Sequence, residues 1–272
     1  ALTLGLPENT TEVELVRFWR DYMRDAPTKP TKMVNTGALL ENTFKGDDID
    51  LLKIPTPRWH EGDGGYFIGT GCMVIMKDPD SGWINYGAYR VQVHDRKVAS
   101  VMISKGKHGD ILMRKYHDRG QPCPIAVVCG VHPGLFAVAG LEIPYGKNEF
   151  EAAGGLLGEA IRIVNGPVTG LPIPAEAEIA FEGYVHKGDL IEEGPLGEWT
   201  GYYAGGRDRR PAIRAELRYL RGLKPEDRQR RRRVERFRVR NFQQHRPTLV
   251  IGRRAQSRRH KSLLPSRTQT PL

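Results

Sequence analysis

Between Gly71 and Ser104 the chain sets three β-forming runs around two tight turns: CMVIMK, DPDSG, WINYGAYRVQVH, DRK and VASVMIS. Turns this short join only antiparallel neighbours, so the segment is committed to a meandering sheet. Strand alternation places Val91 and Val93 on one face of the second run and Arg90, Gln92 and His94 on the other. Asn85 and Arg90, five apart, face opposite sides of a regular strand. A bulge at Gly87 would bring both to one side; otherwise they are surface residues of an ordinary hairpin.

Helices flank this sheet. Thr11 and Glu14 have capping-box spacing, and Leu15, Val16, Trp19, Tyr22 and Met23 follow at helical intervals, ending before Pro27. Residues 27–62, rich in Pro, Asn and Asp, are expected over the surface. HGDILMRKYHDRG predicts a helix from near His108 to Gly120. IAVVCG predicts a buried strand, NEFEAAGGLLGEA a short helix interrupted by its Gly-Gly pair, and IRIVN and AEIAFEGYV further strands. The expected class is α+β, with a sheet that curls toward a barrel. The organisation is an N-terminal helix and connecting segment over 1–62, a core over 63–220 and a tail over 221–272.

Charge separates the core from the tail. Residues 1–206 hold 20 Lys+Arg against 27 Asp+Glu, a net of −7, whereas residues 207–272 hold 22 against 5, a net of +17. The tail has no sustained period of 2 or 3.6, and Arg dominates its basic residues. It reads as out-of-frame translation, as a solvated tail, or as an arginine-rich nucleic-acid-binding arm with only Phe237 and Phe242 for base stacking. Cys72, Cys123 and Cys129 are odd in number and form no CxxC pair, which argues against a disulfide framework or structural zinc. ALTLGLPENT lacks the pattern of a signal peptide, and no apolar run approaches the roughly 18 residues of a membrane span. A soluble cytoplasmic protein without a membrane partner is expected.

One further stretch bears on chemistry. EEGPLGEWTGYYAGG sets Glu193 and Glu198 five apart around Gly194, Pro195 and Gly197. In a solvated turn two such carboxylates do little. In a closed pocket one can stay ionised while the other keeps a proton.

Together WINYGAYR, GKHGDIL, NEFEAAGGLLGE, LPIPAEAEIAFEG and EEGPLGEWTGYY resemble the UbiD family of reversible decarboxylases, from the first residues to about residue 220. The resemblance implies a split β-barrel-like flavin-binding domain and prenylated flavin mononucleotide (FMN) as cofactor. It also implies a divalent metal, manganese or magnesium, bridging to the flavin phosphate, with potassium as a further ion. Asn85, His108 and Glu149 match the metal ligands, with Glu151 a competitor for the last place. Amide oxygen, imidazole and carboxylate suit a hard octahedral ion, although each residue alone has a dull explanation. Gly87, Ala88 and Tyr89 match the segment whose backbone lies along the cofactor, and Lys107 stands where many members have Gln. Arg90, Glu193 and Glu198 match the catalytic set. Arg90 would hold Glu193 and grip the substrate carboxylate through its planar fork; Glu198 would return a proton to carbon. The implied substrates are aromatic or α,β-unsaturated carboxylic acids, the implied cofactor supplier is a flavin prenyltransferase, and the family's assembly is a homo-oligomer. Because the Arg-rich tail stands where the family has a further domain, the expectation is an incomplete decarboxylase, with a non-catalytic UbiD-like remnant as the alternative.

Overall fold

The structure is a computed structural model that describes residues 1–222, apart from Thr70, Trp199 and the side chain of Leu2. The remainder of the basic tail, and with it the nucleic-acid reading, lies outside the described residues.

The first helix, α1 (Glu12–Asp25), begins as its sequence dictates. Thr11 caps the Glu14 amide, Glu14 returns a bond to the Thr11 amide, and the helix stops in a left-handed turn at Ala26. The strands follow in chain order: β1 (Lys32–Met33), β2 (Thr43–Lys45), β3 (Tyr66–Gly69), β4 (Cys72–Lys77), β5 (Ile84–Gly87), β6 (Arg90–Asp95) and β7 (Val98–Met102). Helix α2 (His108–Asp118), β8 (Cys123–Cys129), α3 (Pro133–Ala139) and α4 (Glu149–Leu157) come next. β9 (Arg162–Asn165), β10 (Pro172–Pro174), β11 (Ile179–Glu193) and β12 (Asp208–Leu220) complete the described chain.

Eight strands hydrogen-bond in the order β3-β6-β7-β12-β11-β8-β4-β5, with β2 added beside β12. The sequence forces this sheet to curl. β3 and β4 stand six places apart in the order, about 29 Å if the sheet were flat. Yet only residues 70 and 71 join them, a link that reaches at most about 11 Å. β5 and β6 pose the same problem, six places apart across Ala88 and Tyr89. Both links close only if the two ends of the sheet approach each other, which gives the expected α+β half-barrel. WINYGAYRVQVH is therefore two strands that change partners, and Gly87 ends one of them rather than hosting a bulge.

The apolar runs are continuous because β4 and β8 are covered on both faces. Cys72, Val74, Met76, Ile125 and Val127 join the core carrying Leu112 of α2. Met73, Ile75, Ala126 and Val128 join the core carrying Tyr22, Val138 and Phe150 of α1, α3 and α4. Residues 27–62 do not simply skirt the surface: Leu39, Ile49, Leu51 and Ile54 are buried in these cores. The Gly-Gly pair does not interrupt α4. A Cβ on Gly155 would lie 1.9 Å from the Pro27 oxygen, so glycine here lets the connecting segment cross the helix in contact. Leu157 is followed instead by Gly158 in the left-handed conformation.

Candidate active site

Three segments meet at a cavity of about 480 Å³. Asn85 comes from β5, His108 from the first turn of α2, and Glu149 from the first turn of α4. The Asn85 amide nitrogen lies 2.5 Å from Glu149 Oε1 and 3.5 Å from His108 Nδ1, while His108 Nδ1 lies 3.9 Å from Glu149 Oε1. Glu149 and Asn85 are each 3 % exposed. Burial pushes the Glu149 carboxyl up to about 7, against the opposing hydrogen bonds from backbone and Asn85. His108 is pushed below its ordinary value, first by burial and then by Lys107, which favours the neutral imidazole. Asn85 Oδ1 and Glu149 Oε2 are buried without a hydrogen-bond partner. Two orphaned oxygens beside a neutral imidazole fit a hard divalent cation. Among the described residues no cluster of three His, Cys, Asp or Glu side chains has metal-holding geometry, so any such site depends on the Asn85 amide. Glu151, two positions along α4, lies on the far side by the helical period and, among the described residues, shares no hydrogen bond or ion pair with this group.

The cavity wall runs through Gly87, Ala88, Tyr89 and Lys107. The Tyr89 hydroxyl accepts from the Gly109 amide at 3.2 Å, and the Ala88 amide donates to the Ala139 oxygen at 3.0 Å. These bonds tie the β5–β6 crossing to α2 and α3. The N-terminus of α2, with its partial positive charge, opens beside the cavity. Lys107 Nζ crosses its rim to Glu142 at 2.5 Å.

Arg90 directly follows the wall segment and turns to Glu193, the last residue of β11. Its Nη2 donates to Oε2 at 2.8 Å; Nε approaches Oε1 at 2.7 Å as an ion pair, though off the line of the N–H. Glu193 is 1 % exposed. Glu198 stands five residues on, half-buried, making no hydrogen bond or ion pair with either among the described residues. The structure thus brings together Asn85, His108 and Glu149, and separately Arg90 and Glu193, with Glu198 on the loop that joins β11 to β12.

Several neighbours were not anticipated. Tyr145 lines the cavity, packs on Trp83 at 4.5 Å between ring centres and on His108 at 5.4 Å, and donates to Asp78 at 3.1 Å. Asp63 is 1 % exposed and holds the Gly197 amide at 2.8 Å. A signal for Asp63 was present in EGDGGY, an acid flanked directly by glycines on both sides; Tyr145 carried none.

Comparison with known proteins places this geometry. Residues 32–222 match the model of the UbiD family, described as a 3-octaprenyl-4-hydroxybenzoate carboxy-lyase Rift-related domain. A pyrrole-2-carboxylic acid decarboxylase of Pseudomonas aeruginosa is 33 % identical over 202 residues, covering 74 % of this chain and 40 % of that protein. A phenolic acid decarboxylase of a Streptomyces species is 36 % identical over 224 residues, covering 79 % and 46 %. The solved structure of an evolved dimeric form of the UbiD-class enzyme HmfF from Pelotomaculum thermopropionicum, in complex with prFMN, superposes with a TM-score of 0.73. It is 30 % identical and is matched over 82 % of this chain and 50 % of its own. The chain spans less than half the length of these two curated relatives.

Proposed function

The chain belongs to the UbiD family, and from that premise we propose that it is a reversible, non-oxidative decarboxylase of aromatic or α,β-unsaturated carboxylic acids. In this reading it works with prenylated FMN and a divalent metal, manganese or magnesium, with potassium as an accessory ion. The observation that carries the reading is the convergence of Asn85, His108 and Glu149 on one cavity, with two buried oxygens left unpartnered. The names of the relatives favour aromatic and heteroaromatic acids.

Residues 63–220 supply the catalytic core. Asn85 Oδ1, His108 Nδ1 and Glu149 would hold the metal, and the backbone of Gly87, Ala88 and Tyr89 would lie along the flavin. Lys107 and the positive end of α2 favour the phosphate. When bound, the prenylated flavin supplies the electron sink for the departing carboxylate. The chain's own groups do the rest. Arg90, fixed by Glu193, presents a planar fork to the substrate carboxylate. Glu198, on a loop free of that ion pair, delivers a proton to the carbon that loses carbon dioxide. A flavin prenyltransferase supplies the cofactor, the cytoplasm is the compartment, and self-association follows the family. Among the described residues no helix is long and apolar enough to cross a membrane.

The test is co-expression with a flavin prenyltransferase, followed by ultraviolet–visible spectroscopy and assay against pyrrole-2-carboxylate and phenolic acids with Mn²⁺. Bound flavin and carbon dioxide release, both lost in Asn85→Ala and the second alone lost in Glu198→Gln, support the reading. A chain that binds no flavin, or a Glu198→Gln variant with full activity, overturns it.

A further inference from the structure

The loop that carries Glu198 is fastened to a part of the chain far from it in sequence. After Glu193 the backbone turns at Gly194, with φ +87°, and runs through Pro195 and Gly197. The Gly194 amide donates to Gln92 Oε1 at 2.9 Å, the Gly64 amide donates to the Pro195 oxygen at 2.8 Å, and the Gly197 amide donates to Asp63 Oδ1 at 2.8 Å. The other Asp63 oxygen, Oδ2, accepts from the His60 amide at 2.7 Å, and Arg58 Nε donates to the Asp63 backbone oxygen at 3.0 Å. Contact here leaves no room for a side chain at two glycines. A Cβ on Gly64 would lie 1.8 Å from the Gly194 oxygen, and one on Gly197 would lie 2.5 Å from His60 Nδ1. Burial alone would raise the Asp63 carboxyl, but the Gly197 and His60 amides outweigh it and hold the group below its usual range.

We propose that Asp63 is a positioning residue for the acidic pair: its carboxylate, by taking one amide from each backbone, sets where Glu198 stands relative to Arg90 and Glu193. The inference rests on the decarboxylase reading and deepens it. Two ionised oxygens are required, because each faces an N–H. Asparagine keeps the shape but turns an NH₂ toward one of those donors, leaving a buried amide unpaired. A residue that merely closed a turn would lower the stability of the whole chain. A positioning residue loosens one loop and slows the proton step while leaving substrate binding in place.

The test is Asp63→Asn in the 272-residue chain, read in two ways. Hydrogen–deuterium exchange of the cofactor-free chain should rise about ten- to hundredfold in the peptide spanning 194–203, with α4 and β8 unchanged. In the flavin-loaded chain kcat should fall about tenfold or more while KM moves less than about threefold. Unchanged exchange at 194–203, a uniform rise over all peptides, or an equal change in KM with kcat intact overturns the proposal. Should the variant not fold, exchange in the wild-type chain decides: protected Gly197 and His60 amides uphold the clamp, and exchange at the rate of an open loop overturns it. A wild-type chain that turns over no acid sinks the decarboxylase reading, and the exchange result then judges the clamp by itself.

Discussion

Asn85 and Glu149, which line the cavity, and Glu193 and Asp63, which do not, are buried to the same degree, between 1 % and 3 % exposed. They are satisfied in opposite ways. Away from the cavity lining each buried charge is answered by the protein: Glu193 by the Arg90 guanidinium, through one hydrogen bond and one close ion-pair contact, and Asp63 by two amides. At the cavity Asn85 Oδ1 and Glu149 Oε2 face no donor, and the Glu149 carboxyl is pushed up to about 7 by burial. An unanswered buried polar atom costs stability, so a chain retains one only where something else repays the cost. The contrast separates charges that the protein itself neutralises from polar atoms left for a ligand.

The sharpest way to break that contrast is to remove one member of the answered pair. Arg90→Met leaves Glu193 charged, enclosed and alone, and should cost about 3–5 kcal/mol in chemical denaturation. Adding Glu193→Leu should return most of that loss, since the uncompensated charge goes with it. A single-variant cost below about 1 kcal/mol would mean that Glu193 is answered elsewhere, and the two regions would no longer differ.

At the cavity the sign reverses. Glu149→Gln removes a carboxylate that burial disfavours, so the metal-free chain should be no less stable at pH 8 and up to about 2 kcal/mol more stable. Mn²⁺ affinity, followed by isothermal titration calorimetry, should fall by more than about a hundredfold, since loss of a supporting partner alone costs ten- to hundredfold. Destabilisation together with unchanged Mn²⁺ binding would assign Glu149 to the fold.

Sequence reasoning reached the cavity more readily than the clamp, and for a physical reason. The capping box at Thr11, the helix start at His108 and the turn DPDSG are local signals, each complete within a few residues. The amide–imidazole–carboxylate set could be named only through the resemblance to the family, since each member alone has a dull explanation. Partner exchange across Gly87 was not legible, because one long strand and two short ones alternate identically. The helix over Pro133–Ala139 was passed over although His132 caps it and Pro133 opens it. The extension of β11 to Glu193 and the burial of Leu39 and Leu51 depend on tertiary partners that no window of the sequence contains. Asp63 is the extreme case: its meaning lies 134 residues away, at Gly197.

Asp78 tests the rim that holds Tyr145 over the cavity. Burial would raise its carboxyl, but Lys115 at 2.6 Å, the Asp80 amide and the Tyr145 hydroxyl outweigh it and hold the group at about 2, from an ordinary 3.8. A carboxyl depressed in the folded state adds stability above its unfolded value and loses it as pH falls through its folded one. The contribution, at most about 2 kcal/mol, should therefore be whole above pH 4 and fade toward pH 2. Asp78→Asn should lower the unfolding free energy at pH 7, and the two acid-titration curves should converge near pH 2. Parallel curves throughout would show that the tether, not its charge, matters.

The smallest effect is expected at Lys107, and it sharpens the comparison most finely because the residue touches both categories. Its ammonium pairs with Glu142 at 2.5 Å, with both side chains more than half exposed. Water and salt screen such a pair, and holding two long side chains together costs entropy, so it adds little to folding. Lys107→Gln should leave the unfolding midpoint where it is. The same ammonium lines the cavity beside the α2 N-terminus, where a phosphate would sense it. FMN affinity, read by fluorescence quenching, should therefore weaken a few-fold at low ionic strength and recover in high salt, where the screening length shrinks to a few ångström. A shifted midpoint with unchanged FMN binding would place Lys107 with Glu193 and Asp63 among the charges neutralised within the protein, and would remove the charge at the rim from the ligand-directed set.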